Sequence, residues 1–303
     1  MANDDIQGTV TDADGNAVGG AIVALWDQDN PNEVVTTTAD SNGDYIFKTH
    51  PDADGTATNW HLTARDPNDG TRQFPSLHSV SAQITTAIPN DGLVHHYDAT
   101  KISGSDGDSI GTWTDLEGGA DLTQSTSSDQ PTLKTNQING KQVLRGDGSD
   151  DFMDVGFSDL SQPYEIFMVF ELQSGATDGG FHFIFDDDND ARFGKDSDDK
   201  FQIYQGDTQV IGSTADLNTH FTEAIFRDGA NNNDDEYLLD GTSDAVGDSG
   251  DSILTGLTVF SRLDGGLPAN VDVGEVGVYN DELSASTRDE LESYISNKWD
   301  ITF

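Results

Sequence analysis

The stretch Val271–Trp299, VDVGEVGVYNDELSASTRDELESYISNKW, decides how the chain is to be read. Its first half is an apolar alternating strand, with Val271, Val273, Val276 and Val278 as the inward candidates. Its second half is the one convincing helix pattern in the sequence. Leu291, Tyr294, Ile295 and Trp299 fall at i, i+3, i+4 and i+8 and make one apolar stripe. Ser284 can cap the start, and Thr287-x-x-Glu290 offers an overlapping capping box, so the spacing predicts a helix over 284–299. A lone amphipathic helix must lay its stripe on something, and everything upstream reads as sheet. The prediction is an all-β fold in which this helix clasps a sandwich.

Charge bounds the setting. The chain carries 56 acidic against 14 basic residues, a net −42, and 46 of the acids are Asp. Acidic chains of low hydropathy often stay unfolded. Here 15 Phe, 7 Tyr and 4 Trp recur in alternating patterns, and 32 Gly fall largely at turns, which favours a folded protein. The composition is that of a halophile. In molar salt the Debye length shrinks to about 3 Å, so the self-repulsion is screened. No basic stripe exists to hold nucleic acid. Without cysteine there is neither a disulfide framework nor a thiolate metal site.

No apolar run is long enough to span a bilayer, so no membrane insertion is expected. The start, MANDDIQGTV, lacks the basic and apolar regions of a leader, and no Asn-x-Ser/Thr sequon occurs. The expectation is a protein made and assembled in the cytoplasm.

Residues 5–86 read as short strands divided by turns at Asp12-Ala-Asp14-Gly15, Asn42-Gly43, Asp54-Gly55 and Asp69-Gly70. The wording Gly8-Thr-Val-Thr-Asp12, then Thr37-Thr-Ala-Asp-Ser-Asn-Gly-Asp-Tyr-Ile-Phe47, resembles the carboxypeptidase regulatory-like domains. That resemblance covers 5–50 well and 56–86 weakly. It implies an Ig-like β-sandwich over residues 1–88 that serves as scaffold or spacer. Residues 89–92 form the expected linker.

From Leu93 onward the pattern restarts. Tyr97-Asp98-Ala99, Trp113-Thr-Asp115, Gln130-Pro131-Thr132, Asn139-Gly140, Gly146-Asp147-Gly148-Ser-Asp-Asp151-Phe152 and the strand YEIFMVFEL follow in order. With the terminal strand and helix, residues 93–303 resemble the laminin G-like/concanavalin A-like jelly rolls of viral appendage and bacterial surface proteins. Thr287 departs from that family, in which the third helical residue is usually acidic.

Chemistry is sparse. Gly107-Asp-Ser109-Ile-Gly111 has nucleophile-elbow spacing and Gly247-Asp-Ser249-Gly250 has serine-protease wording, yet neither precedes a helix or comes with a base. Concanavalin A-like glycosidases place two carboxylates on one strand as E-x-D-x-x-E. No such triplet surrounds Glu165 or Glu275. The run Asp186, Asp187, Asp188 and Asp190, with Asp196 and Asp198, is a candidate calcium site on residue type, because calcium takes six to eight oxygens. A solvated acidic hairpin is the competing reading. His95 and His96, as strand neighbours, point to opposite faces and cannot chelate together. Tyr204 and Trp60 are candidates to stack on sugar rings, whereas Trp113 falls in the family's packing motif.

The combined expectation is a non-enzymatic virion surface protein of a haloarchaeal virus. It would be a capsid decoration, turret or tail-appendage subunit, and a candidate host-glycan adhesin. Its partners would be other virion proteins and further copies of itself. A cellular adhesion or glycan-binding protein of a halophile is the alternative, and a glycoside hydrolase the second.

Overall fold

The structure, a computed structural model, describes residues 6–10, 18–27, 34–47, 60–65, 72–73, 87–187, 191–227 and 235–302. The chain divides into two compact units, Met1–Pro89 and Asn90–Phe303.

The first unit holds β1 (Ile6–Thr9), β2 (Ile22–Asp27), β3 (Val34–Thr38), β4 (Asp44–Phe47), β5 (Trp60–Arg65) and β6 (Arg72–Gln73). β1 pairs with β4, and a second sheet runs β3-β2-β5-β6, all antiparallel. Val10, Ala21, Val23, Ala39 and Tyr45 are buried.

The second unit begins with β7 (Leu93–Asp98), β8 (Thr112–Trp113), β9 (Leu122–Thr123), β10 (Thr132–Lys134), β11 (Val143–Asp147), β12 (Met153–Leu160) and β13 (Tyr164–Leu172). There follow β14 (His182–Asp186), β15 (Ala191–Lys195), β16 (Lys200–Gln205), β17 (Val210–Thr214), β18 (Thr219–Phe226) and β19 (Asp235–Leu239). β20 (Thr242–Gly247), β21 (Leu254–Val259), β22 (Asn270–Tyr279) and α1 (Ala285–Trp299) complete it. One antiparallel sheet runs β10-β11-β22-β13-β18-β19-β20, with β7 also on β22; the other runs β17-β16-β15-β14-β21-β12-β9-β8. The two sheets enclose one core. Phe170 from the first sheet meets Phe193 and Phe201 from the second at 5.5 and 5.7 Å between ring centroids. The all-β sandwich with a terminal helix is therefore the fold.

β22 explains the spacing of its valines. Val271 and Val273 differ in parity from Val276 and Val278, yet all four are fully buried in the same core. The register against β13 shifts between Val169, opposite Glu275, and Phe170, opposite Val273. Gly274 is the extra residue of a bulge that resets the alternation. The same step divides the strand's other edge, where β11 pairs over Asn270–Val273 and β7 over Glu275–Tyr279.

α1 starts as its cap residue directs: the Ser284 hydroxyl accepts from Thr287 N at 3.2 Å. It ends at Asp300, in the left-handed region at φ 61°. Leu291, Ile295 and Trp299 are buried, as the stripe requires. The helix lies on the outer face of the first sheet, where a Cβ on Gly274 would come within 2.7 Å of the Trp299 ring.

That face is not simply apolar, which changes what the clasp is. Glu275 on β22 is fully buried and accepts from Trp299 Nε1 at 2.6 Å and Tyr294 Oη at 2.6 Å, with Lys298 Nζ at 2.9 Å. His96 Nε2 lies 2.7 Å from Oε1, the oxygen that Tyr294 also bonds. Burial would raise the Glu275 carboxyl, but His96, Lys298 and Tyr294 hold it below the usual carboxylate range. Further along the helix, Arg288 reaches Glu165 at 2.9 Å and Glu223 at 3.1 Å, both fully buried. Lys298 also bonds Asp98 at 2.8 Å. The helix is held by charge as well as by its stripe.

Candidate functional site

The clearest site lies on the outer face of the second sheet. Residues directly opposite one another on neighbouring strands share a face. Register pairs Arg192 with Tyr204 and Gly194 with Gln202 across β15 and β16, and Phe183 with Gly194 across β14 and β15. Phe193, Ile203 and Phe185 point into the core, so their alternating neighbours face out. Gly194 stands between Phe183 and Gln202, and the close approach of the neighbouring strand requires a glycine there: a Cβ would meet the His182 carbonyl at 2.2 Å.

The result is a groove of about 460 Å³ floored by Phe183, Arg192, Gln202 and Tyr204 and walled by the Asp207-Thr208-Gln209 turn. The Arg192 guanidinium is held 5.4 Å from the Phe183 ring centroid and 5.1 Å from that of Tyr204. Its Nε donates to Asp186 at 2.8 Å. Fixed between two rings and a carboxylate, Arg192 rigidifies the floor. Tyr204 is partly exposed. Gln202 is 2% exposed, and its Oε1 has no hydrogen-bond partner. An aromatic surface flanked by amide, hydroxyl and carboxylate groups suits a ligand with one apolar face and several hydroxyls.

The calcium candidates do not converge among the described residues. Asp186 accepts from Arg192 and, through Oδ2, from Leu263 N at 3.0 Å. Asp187 accepts from Ala191 N at 3.0 Å and Thr255 N at 2.8 Å. Asp196 Oδ1 caps Asp198 N and Lys200 N, and Asp198 is exposed. These carboxylates tie loops to strands. Asp188 and Asp190 lie outside the described residues, as does the side chain of Trp60.

A different trio comes together: Asp147, Asp150 and Asp151 place carboxylate oxygens within 4.8 Å of one another. They occupy the end of β11 and the turn that leads to β12, which the sequence marked only as a family motif. Asp151 is pushed up to about 7, first by burial and then by the charge of Asp147, against one backbone N–H from Asp147. An acid raised on folding favours the folded state fully below its unfolded pKa and loses that contribution as pH rises through the folded value. Asp151→Asn is therefore expected to remove a loss of about 2 kcal/mol between pH 5 and 8, allowing for solvent and salt screening at this turn. Urea titrations of both proteins across that range read it directly.

Ser249 is fully buried and donates to Asp235 Oδ2 at 2.6 Å, and Ser109 forms an isolated bridge with Thr132. The histidines do not cooperate. His95 Nδ1 is 2.8 Å from Asp115 Oδ2, while His96 turns to Glu275. Trp113 is a core residue at 1% exposure.

Fold and groove together define a two-sheet β-sandwich with an aromatic and polar site on one outer face. No protein-family model and no curated protein matches the sequence. Similar solved structures include Trypanosoma rangeli sialidase in complex with sialic acid, at 14% identity and TM-score 0.48, covering 70% of this chain and 34% of that one. The same sialidase with the inhibitor DANA is 13% identical at TM-score 0.47, covering 72% and 34%. A mutant of HCR/D is 10% identical at TM-score 0.47, covering 70% and 53%. This chain thus spans about a third of the sialidase chains, and the likeness is one of architecture.

One expectation is corrected here. The exclusion of an enzyme rested on the missing E-x-D-x-x-E triplet and on serine motifs without a following helix or a base, yet enzymes, the sialidases, are among the similar structures. Absent linear spacings are not a ground for exclusion. Glu165 and Glu223 show why: strand pairing brings them to one arginine from positions that no linear motif links.

Proposed function

We propose that the second unit binds saccharides in the Tyr204 groove and that the chain is displayed on the surface of a virus particle of a halophilic host. The observation that carries the first part is the alignment of Phe183, Arg192, Gln202 and Tyr204 on one face beside Asp207, Thr208 and Gln209. A sugar ring lays its C–H face on the exposed part of Tyr204, and its hydroxyls meet the carboxylate, hydroxyl and amide groups of the rim. The net charge of −42 supports the saline setting, and the resemblance to appendage jelly rolls supports the particle.

The test is a glycan array probed in molar NaCl with the wild-type protein and with Tyr204→Ala. Loss of one stacking partner is expected to weaken binding about tenfold, the effect of roughly 1.4 kcal/mol. Equal binding by both proteins, or none by the wild type, would overturn the site. Immunogold labelling of particles from an infected halophile culture tests the setting, and label confined to uninfected cells would overturn it.

A further inference from the structure

The carboxylates of Glu165 on β13 and Glu223 on β18 are both fully buried beneath α1. Glu165 Oε2 accepts from Leu283 N at 3.0 Å and from Arg288 Nη2 at 2.9 Å. Glu223 Oε1 accepts from Arg288 Nε at 3.1 Å. The other two oxygens, Glu165 Oε1 and Glu223 Oε2, are buried and find no donor among the described residues. One arginine therefore serves two buried carboxylates. Two ionised groups on that one cation would leave a buried charge uncompensated, whereas a single proton taken up by the pair removes it.

We propose that one proton is held on the Glu165–Glu223 pair, and that its loss undocks the terminal helix. α1 is then a latch that alkaline conditions release. Among the described residues the cation in contact with the pair is Arg288; Glu292, on the helix, and Tyr279 and Glu275, on β22, add no positive charge, and Glu282 pairs Arg227 at 2.7 Å. Burial first, then the neighbouring Glu165 charge, holds the Glu223 carboxyl well above the usual carboxylate range. The folded acid is raised, so its stabilising contribution is lost as pH climbs through the folded value.

Glu223→Gln isolates the effect, because the amide can donate permanently to Glu165 Oε1. Cleavage within α1 by a Lys/Arg-directed protease is followed at pH 7 and pH 9, below the range in which ordinary tyrosines ionise. Rates are normalised to an unstructured peptide carrying the same sites. The wild type is expected to be cut about tenfold faster at pH 9, and the variant equally slowly at both. A wild type cut at the same normalised rate at both values, or a variant with the wild-type increase, would overturn the latch. If the variant does not fold, infrared spectra of wild-type protein carrying isotope-labelled glutamate decide instead. A protonated carboxyl C=O band at pH 8 is expected, and its absence would overturn the proposal.

Discussion

Arg288→Ala is expected to destabilise the second unit by about 3–5 kcal/mol, the cost of leaving buried carboxylates without their cation. Arg288 bridges two fully buried glutamates and is itself largely covered, so neither solvent nor salt replaces it. The penalty is expected to shrink at acid pH, where the remaining carboxylate of the pair also takes up a proton. A second variant separates charge from packing. With Glu165→Gln and Glu223→Gln added, the loss is expected to fall below about 2 kcal/mol, since an ion cluster replaced as a whole costs far less than one broken. Guanidinium titrations in molar salt background, with unchanged slope, measure both. A loss under about 1 kcal/mol for Arg288→Ala would mean that the helix is held by its apolar stripe alone.

Trp299→Ala is expected to have an effect of similar size for a different reason. Trp299 is 2% exposed, covers the bulge at Gly274 and donates to Glu275 at 2.6 Å. Removing it opens a cavity and takes a donor from a buried carboxylate, at a cost of about 3–5 kcal/mol. For a unit of this size that corresponds to a fall of roughly 10 °C in Tm. Trp299→Phe keeps most of the packing and loses the hydrogen bond, so about 1–2 kcal/mol is expected. Calorimetry of both variants distinguishes the two contributions, and equal losses would assign the whole effect to the bond with Glu275.

What was legible in the sequence follows from what periodicity records. The stripe Leu291, Ile295, Trp299 and the Ser284 cap are local patterns, and both stand in the structure. Even the bulge left a trace, in the three-residue step from Val273 to Val276. The polar half of the clasp left none. Glu165, Glu223 and Glu275 lie in strands that read as apolar, and among 56 acidic residues a buried carboxylate looks like any other. Nothing in their local sequence marks Lys298 and Arg288 either, because strand order is what puts acids beneath them.

The groove shows the same limit. Tyr204 could be singled out because a partly exposed aromatic beside a turn is a local feature. Phe183, Arg192 and Gln202 are distributed over three strands, and only register brings them to one face. The acidic run after Phe185 was conspicuous by composition, yet the described part of it is consumed in holding Arg192, Leu263, Ala191 and Thr255. Composition advertised a cation site there. Strand geometry instead gathers Asp147, Asp150 and Asp151.

The saccharide site is tested most directly by a crystal of the protein soaked, in high salt, with the oligosaccharide that scores highest on the array. Density for a sugar ring is expected against Tyr204, with its hydroxyls in reach of the Asp207-Thr208-Gln209 rim. Density for that ligand elsewhere on the unit, with the Tyr204 groove empty, would contradict the account.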